Sequence, residues 1–233
     1  MRKHYEIRKE LKEFYNNVAE IFSSTRKYWW RDLYFIKKYL KSEGKALDFG
    51  CGNGRLLDFL KDTNLDYVGV DTSKKLIEIA RKKYLDKSFV EIEDEKKLPF
   101  EDNEFDIVFA IAVFHHFTPR MADNALFEMK RVLKDDGILI LTIWNLWNTK
   151  YLKFLMKSFL RGNINLAARI SFKYQDEIQW RFCYWWTKKM IVKKVKNFRF
   201  EIVESGFTFG QKKKTNKKFR RNIFVVAEKK ANK

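Results

Sequence analysis

Along this chain apolar and polar positions change period, and the changes mark its elements. Near the N-terminus apolar residues return every three or four positions, over 5–22 and again over 28–41. That spacing predicts two amphipathic helices. Short apolar runs and helical stretches then follow one another: strand 46–49, helix 55–61, strand 67–70, helix 73–83, strands 89–92 and 105–112, helix 120–133, strand 137–144. Such alternation predicts a parallel sheet with helices on both faces. The segment 146–186 breaks the rhythm; it is aromatic and basic and reads as a helical insertion after the fifth strand. Thr187 is placed to cap a helix running to about 197, and strands at 200–204 and 222–227 complete a seven-stranded sheet. No repeat, Pro-rich linker or low-complexity tract intervenes. The expectation is one domain over 1–233, with N-terminal helices (1–44), a core (45–145), the insertion (146–186) and a closing helix with a strand pair (187–233).

The first strand runs into Asp48-Phe49-Gly50-Cys51-Gly52-Asn53-Gly54-Arg55. Glycine at every second position lets the backbone adopt φ > 0 and approach a ligand closely, and a helix start offers N–H groups to negative charge. A dinucleotide fingerprint would be G-x-G-x-x-G. Here the third glycine comes one residue early, and Arg55 stands where that fingerprint has glycine. Acid-x-Gly-x-Gly-x-Gly instead resembles the S-adenosylmethionine (SAM) loop of class I methyltransferases. The second strand ends in Asp71, which can accept from both hydroxyls of a ribose. NAD and SAM sites share that acid, so only the glycine spacing separates them. Beyond the third strand Asp94, with Glu95 beside it, is placed to accept from an adenine amino group. The fourth strand ends near Ala110 and Ala112, followed by His115 and His116, which point toward the cleft.

Composition narrows the class. Hydrophobic residues make up 45% of the chain, so it is not a disordered one. No apolar run approaches the roughly 18–20 residues of a membrane span, and the N-terminus lacks a signal peptide's apolar stretch. Two cysteines, Cys51 and Cys183, suggest no disulfide framework, and three histidines beside them argue against a tetrahedral metal site. A cytoplasmic protein without metal, membrane or DNA partner is the expectation. A formal charge of +19 predicts attraction to polyanions. Lysines outnumber arginines 35 to 14, however, which also fits a compositional bias of the source genome. Position says more than the total: Lys212, Lys213, Lys214, Lys217, Lys218, Arg220 and Arg221 crowd one loop between the last two strands.

Asp48–Gly54, Asp71, Leu98-Pro99-Phe100 and Phe105-Asp106 together resemble the class I SAM-dependent methyltransferases, whose α/β, Rossmann-like fold is the fold expected. A narrower likeness lies outside those motifs. The run 15–26, Tyr-Asn-Asn-Val-Ala-Glu-Ile-Phe-Ser-Ser-Thr-Arg, resembles the N-terminal signature of the tRNA wobble-uridine carboxymethyl methyltransferases. Ile111–Thr118 and Ile143-Trp144 resemble further segments of that family. The chain departs from it after Trp144, where Asn145-Leu146-Trp147 follows, and at Arg181-Phe182-Cys183-Tyr184, which matches its Arg-Tyr-Tyr-His only loosely.

The resemblance implies SAM as cofactor, held by Asp48, Gly50, Cys51, Gly52, Asn53, Gly54, Asp71, Thr72, Asp94, Glu95, Ala110 and Ala112. It also implies tRNA as substrate, and a small zinc-binding activator protein as a further partner. Methyl transfer from a sulfonium is an in-line displacement in which positioning contributes about 7–11 kcal/mol. A carboxylate nucleophile is already ionised at neutral pH and needs no base; Arg26 suits a bidentate grip on it, and His115 or His116 could donate one bond. An amine or phenol acceptor would instead make a histidine the base. The basic loop is expected on the cleft rim against RNA phosphates, with the aromatics of 146–186 shaping the cleft for an unstacked base. Two other functions stand beside this one: methylation of a small molecule, and SAM or RNA binding without catalysis.

Overall fold

The computed structural model describes residues 4–25, 31–163, 165–174, 177–211 and 218–231. In chain order the elements are α1 (His4–Asn17), α2 (Ala19–Thr25), a 3-10 helix (Arg31–Tyr39), β1 (Glu43–Phe49), α3 (Leu57–Leu60), β2 (Asn64–Asp71) and α4 (Lys74–Lys83). Then come β3 (Ser88–Glu91), β4 (Phe105–Ile111), a 3-10 turn (Phe114–His116), α5 (Pro119–Val132), β5 (Leu133–Trp144) and α6 (Thr149–Leu160). The chain closes with β6 (Ala167–Tyr174), β7 (Glu177–Tyr184), α7 (Lys188–Asn197), β8 (Phe200–Gln211) and β9 (Lys218–Lys229).

Seven strands form one sheet in the order β3-β2-β1-β4-β5-β9-β8. Neighbours from β3 to β5 pair in parallel, while β9 runs antiparallel to both β5 and β8. The order reverses between β1 and β4, so a cleft opens beyond their carboxyl ends. Both faces of the sheet are covered, and β4 shows it by alternation: Val108 and Ala110 join one buried cluster, Ile107 and Phe109 the other. Helix starts are set by local chemistry. The hydroxyls of Ser73, Thr118 and Thr187 accept from Leu76 N, Met121 N and Met190 N at 3.3, 3.3 and 3.2 Å, and Pro119 opens α5, where its missing N–H costs nothing.

Three expectations change. The second N-terminal helix is a 3-10 stretch over Arg31–Tyr39. The helix after the Gly-rich turn is a single turn, Leu57–Leu60. Most important, the insertion is only part helical: α6 is followed by the antiparallel hairpin β6–β7. Its sequence carries the reason, because Ile170 and Phe172 alternate with Arg169, Ser171 and Lys173 at the period of a strand. The hairpin packs on α6 through Leu155, Ala168, Ile170 and Cys183. Trp185 and Trp186 are fully buried, their ring N–H groups donating to the carbonyls of Leu146 and Phe114 at 3.1 and 2.9 Å.

Helix α1 crosses the carboxyl ends of the strands and is tied there by charge. Arg8 grips Glu95 with two nitrogens, Nε at 2.7 Å, and Asn124 donates to the same carboxylate at 3.2 Å. Asn16 Oδ1 accepts from Ser73 Oγ at 2.8 Å and Lys75 N at 3.2 Å, joining the end of α1 to the start of α4. Glu95 is only 3% exposed, so losing Arg8 strands a buried carboxylate. Arg8→Ala is expected to lower unfolding free energy by about 2–4 kcal/mol, read from urea denaturation; Arg8→Ala combined with Glu95→Gln should recover part of the loss.

Candidate active site

The turn after β1 is built for close approach. Gly50, Gly52 and Gly54 have φ of 73°, 57° and 74°, values that only glycine adopts without strain. A Cβ at Gly50 would stand 2.5 Å from Val113 Cγ2, and one at Gly54 would stand 2.9 Å from the Phe89 ring. Gly69, on the facing strand, is needed for the same reason: its Cβ would meet Cys51 Sγ at 2.9 Å. Four of its amides are spent inside the protein. Gly50 N and Cys51 N donate to Val70 O at 2.8 and 3.0 Å, Gly52 N to Asp71 Oδ2 at 2.9 Å, and Gly54 N to Cys51 O at 3.1 Å. These four N–H groups form no pyrophosphate cradle, which is how the glycine spacing acts in three dimensions.

Three layers line the cleft. The turn gives Asp48 to Asn53 with Arg55 and Leu56; β2, β3 and α4 give Asp71, Thr72, Ile92 and Leu76; β4 and its sequel give Ile111, Ala112, Val113, His116 and Phe117. Leu11, Tyr15 and Phe22 close it from α1 and α2, and Trp144 walls it from the end of β5. Ala112 has φ 58°, held there by bonds from its N–H to Thr142 O and Oγ1, both at 2.9 Å. A left-handed residue that lines a cleft is strain stored where a ligand binds.

His116 sits in a fixed relay. One ring nitrogen, Nδ1, lies 2.8 Å from Phe182 O, and the other, Nε2, lies 2.6 Å from the Tyr15 hydroxyl. A carbonyl can only accept, so Nδ1 carries the proton, and Nε2 accepts from Tyr15. Burial, with the Arg181 charge adding to it, pushes the His116 imidazole down to about 3. Neighbouring His115 is wholly buried and stacks on Trp144 at 4.5 Å. Burial first, then the His116 and Arg181 charges, hold it well below the ordinary histidine range.

The structure gathers most of the predicted cofactor residues. Asp48, Gly50, Cys51, Gly52, Asn53, Asp71, Thr72 and Ala112 all line the cleft. Gly54 packs behind the turn on Phe89 and Tyr84, and Ala110 is core. Asp94 turns to Lys96, at 2.8 Å, and Glu95 to Arg8, because the chain leaves β3 with Ile92 facing the cleft and the acids facing α1. Of the histidines, His116 lines the cleft and His115 lies behind it. Arg26, Lys212, Lys213, Lys214 and Lys217 lie outside the described residues, as does the side chain of Lys218. Arg220 and Arg221 enter β9 beside the end of β5, where their carbonyls hold Asn145 at 3.2 and 3.0 Å. No described aromatic of 146–186 lines the cleft; that role falls to Trp144. Sequence reading missed Tyr15, Phe22 and Trp144 as wall residues, although all three stand in segments it singled out.

The cleft suits a cationic nucleoside. It holds two carboxylates, Asp48 and Asp71, and the buried Asn53 Oδ1 has no partner among the described residues. Asp71 is fixed by the amides of Gly52 and Ser73, each at 2.9 Å. Asp48 is 2% exposed and accepts from Tyr67 at 2.8 Å. Burial raises its carboxyl to about 7; the Asp71 charge adds to the rise, and Tyr67 and Arg55 oppose it. The folded state therefore holds a proton that the unfolded chain has released, and stability falls as pH rises from about 4 through about 7. Asp48→Asn is expected to flatten that fall by a few kcal/mol at most, read as the difference between the two proteins' denaturant midpoints from pH 5 to about 8.

A family described as a methyltransferase domain matches residues 47–141. An uncharacterized protein of Methanocaldococcus jannaschii is 33% identical over 165 residues, covering 69% of this chain and 61% of that protein. The tRNA (carboxymethyluridine(34)-5-O)-methyltransferase of Mus musculus is 33% identical over 171 residues, 73% of this chain and 24% of that protein. The likeness thus spans about three fifths of the first relative and about a quarter of the second. The crystal structure of a SAM-dependent methyltransferase from Methanosarcina mazei aligns with a TM-score of 0.73 at 21% identity, over 85% of this chain and 98% of that one. Residues 47–141 are a methyltransferase domain, carried on the fold of the class I SAM-dependent methyltransferases.

Proposed function

We propose that this protein transfers the methyl group of SAM to an acceptor that is already nucleophilic, the carboxylate of a carboxymethyl-bearing uridine in tRNA. The observation that carries the reading is the state of His116. Its proton is committed to Phe182 O and its lone pair to Tyr15, and its pKa near 3 keeps it neutral. Such a ring takes no proton from an acceptor. A carboxylate needs none taken, being ionised at neutral pH, whereas an amine or phenol would need a base.

SAM, when bound, supplies an electrophilic methyl carbon. Asp71 is the residue for ribose hydroxyls, and Asp48 with Asn53 Oδ1 for the cationic amino-acid end. The Gly50–Gly54 turn leaves room for the ligand where side chains would block it, and Phe22 with Leu11 keeps water away. Tyr15, anchored on His116, and the strained Ala112 form the wall on the acceptor side. Positioning of this kind is where the rate acceleration arises.

The tRNA half of the reading is supported by the name of the mouse relative, by the charge of +19 and by the basic run 212–221 of the sequence, of which Arg220 and Arg221 stand beside the carboxyl end of β5. Backbone phosphates are the partner such a run fits.

Transfer of labelled methyl from SAM to bulk tRNA, with and without nuclease, tests it; the expected product is a nuclease-sensitive, base-labile methyl ester on a uridine. Label passing only to nuclease-resistant material would replace tRNA by a small molecule. At saturating SAM, kcat is expected to stay flat from pH 6 to about 8.5, and a limb near about 6.5 would reinstate a histidine base. Changing Lys212, Lys213, Lys214 and Lys217 to Ala should weaken tRNA binding and reduce its log–log salt slope by up to about 3; unchanged affinity would remove the loop from the interface.

A further inference from the structure

Among the described residues, Arg181 is a buried cation without a counterion. Arg181, on β7, is 6% exposed, and its Nε is buried without a hydrogen-bond partner. A guanidinium keeps its charge at any pH a protein survives. Among the described residues no carboxylate lies within ion-pair distance of it. Glu10 of α1 is bound to Arg169 on β6 at 3.0 Å. What Arg181 touches is aromatic: its guanidinium carbon lies 4.5 Å from the Trp144 ring centre and 5.5 Å from that of Phe14. Cation–π contact recovers only a minor part of what burying a charge costs.

The surroundings of Arg181 are those of the acceptor wall. Trp144 lines the cleft, and Arg181 lies over its ring. The next residue, Phe182, supplies the carbonyl that fixes His116. His115, stacked on Trp144 and 4.1 Å from the His116 ring, is the second buried polar group here without a partner, at both ring nitrogens. A neutral imidazole offers one N–H donor and one acceptor. A charged fork in a low-dielectric corner over Trp144 is what a carboxylate is held by.

We propose that Arg181 is the anion seat of the acceptor subsite and binds the carboxylate that is to be methylated. The inference deepens the reading above and rests on it for the identity of the acceptor; the anion seat itself does not need RNA. One carboxylate oxygen engages the guanidinium while the other is left to attack the methyl carbon. The Oxygen–carbon bond forms as the carbon–sulfur bond breaks, its electron pair leaving on sulfur. The product is a neutral ester, which no longer attracts the guanidinium, so the same group that orients the acceptor favours release of the product. Arg181 is a binding and positioning residue, and no proton passes through it.

Two arms test this. In the first, protein saturated with S-adenosylhomocysteine is heated with sodium phenylacetate or with neutral phenylacetamide, for wild type, Arg181→Gln and Arg181→Lys. The carboxylate alone is expected to raise the wild-type Tm, Arg181→Lys to keep part of the shift, and Arg181→Gln to lose it. Equal shifts in wild type and Arg181→Gln, or none in wild type, would overturn the anion seat. In the second arm, an anticodon stem-loop bearing 5-carboxymethyluridine is the methyl acceptor. Arg181→Gln is expected to raise its KM about tenfold or more while SAM affinity, by titration calorimetry, stays unchanged. An unchanged KM there also counts against the seat. If wild type methylates no RNA while the phenylacetate shift still depends on Arg181, the tRNA reading falls and the seat stands. A cation with only a structural role would lower the Tm of ligand-free Arg181→Gln and leave carboxylate discrimination intact; removal of an unpaired buried charge is expected to leave that Tm equal or higher.

Discussion

The site depends on one constraint: the turn after β1 has to close on the end of β2. Val70 O accepts from the amides of Gly50 and Cys51, and Asp71 accepts from Gly52. Those bonds draw the turn against the sheet, where Gly69 leaves room for Cys51 and Val113 lies against Gly50. At Gly50 and Gly54 a side chain is excluded by contact distances below 3 Å and again by a positive φ, so glycine is required twice over there. The same closure aims Asp71 at the cleft and buries Asp48 beside Tyr67. A loop with amides to spare would bind phosphate. This one has used the amides of Gly50, Cys51, Gly52 and Gly54 on the protein and offers carboxylates instead.

The second determinant is the N-terminal segment, which belongs to the site as much as the sheet does. Arg8 on Glu95, Lys12 on Glu91 and Asn16 on Ser73 dock α1 over the strand ends. Docking brings Tyr15 to His116 and Phe22 over Gly52. Two carboxylates expected to meet the cofactor are thereby explained. Asp94 and Glu95 are drawn toward the positive charges of α1 and Lys96, and the apolar Ile92 faces the cleft in their place.

The hairpin β6–β7 has a comparable effect at His116 and Trp144. It supplies the Phe182 carbonyl that sets the tautomer of His116, and it carries Arg181 to Trp144. Just past β7, Trp185 and Trp186 are buried and satisfy backbone carbonyls, and the wall on this side of the cleft is Trp144.

Local rules were enough for the sheet. Alternation of strands and helices, the caps at Ser73, Thr118 and Thr187, and the spacing Gly50–Gly54 before an acid at Asp71 act over a few residues, so they can be read in order along the chain. The hairpin was legible in principle, through the period-two alternation at 169–173, but its aromatic content masked it. What the tertiary structure alone decided is charge state and pairing. Which acid faces the cleft, which nitrogen of His116 bears the proton, and that Arg181 is buried without an acid all depend on groups far apart in sequence. Phe182 lies 66 residues from His116, and Tyr15 lies 101. Desolvation and partner geometry are properties of the packed interior, and no window along the chain contains them.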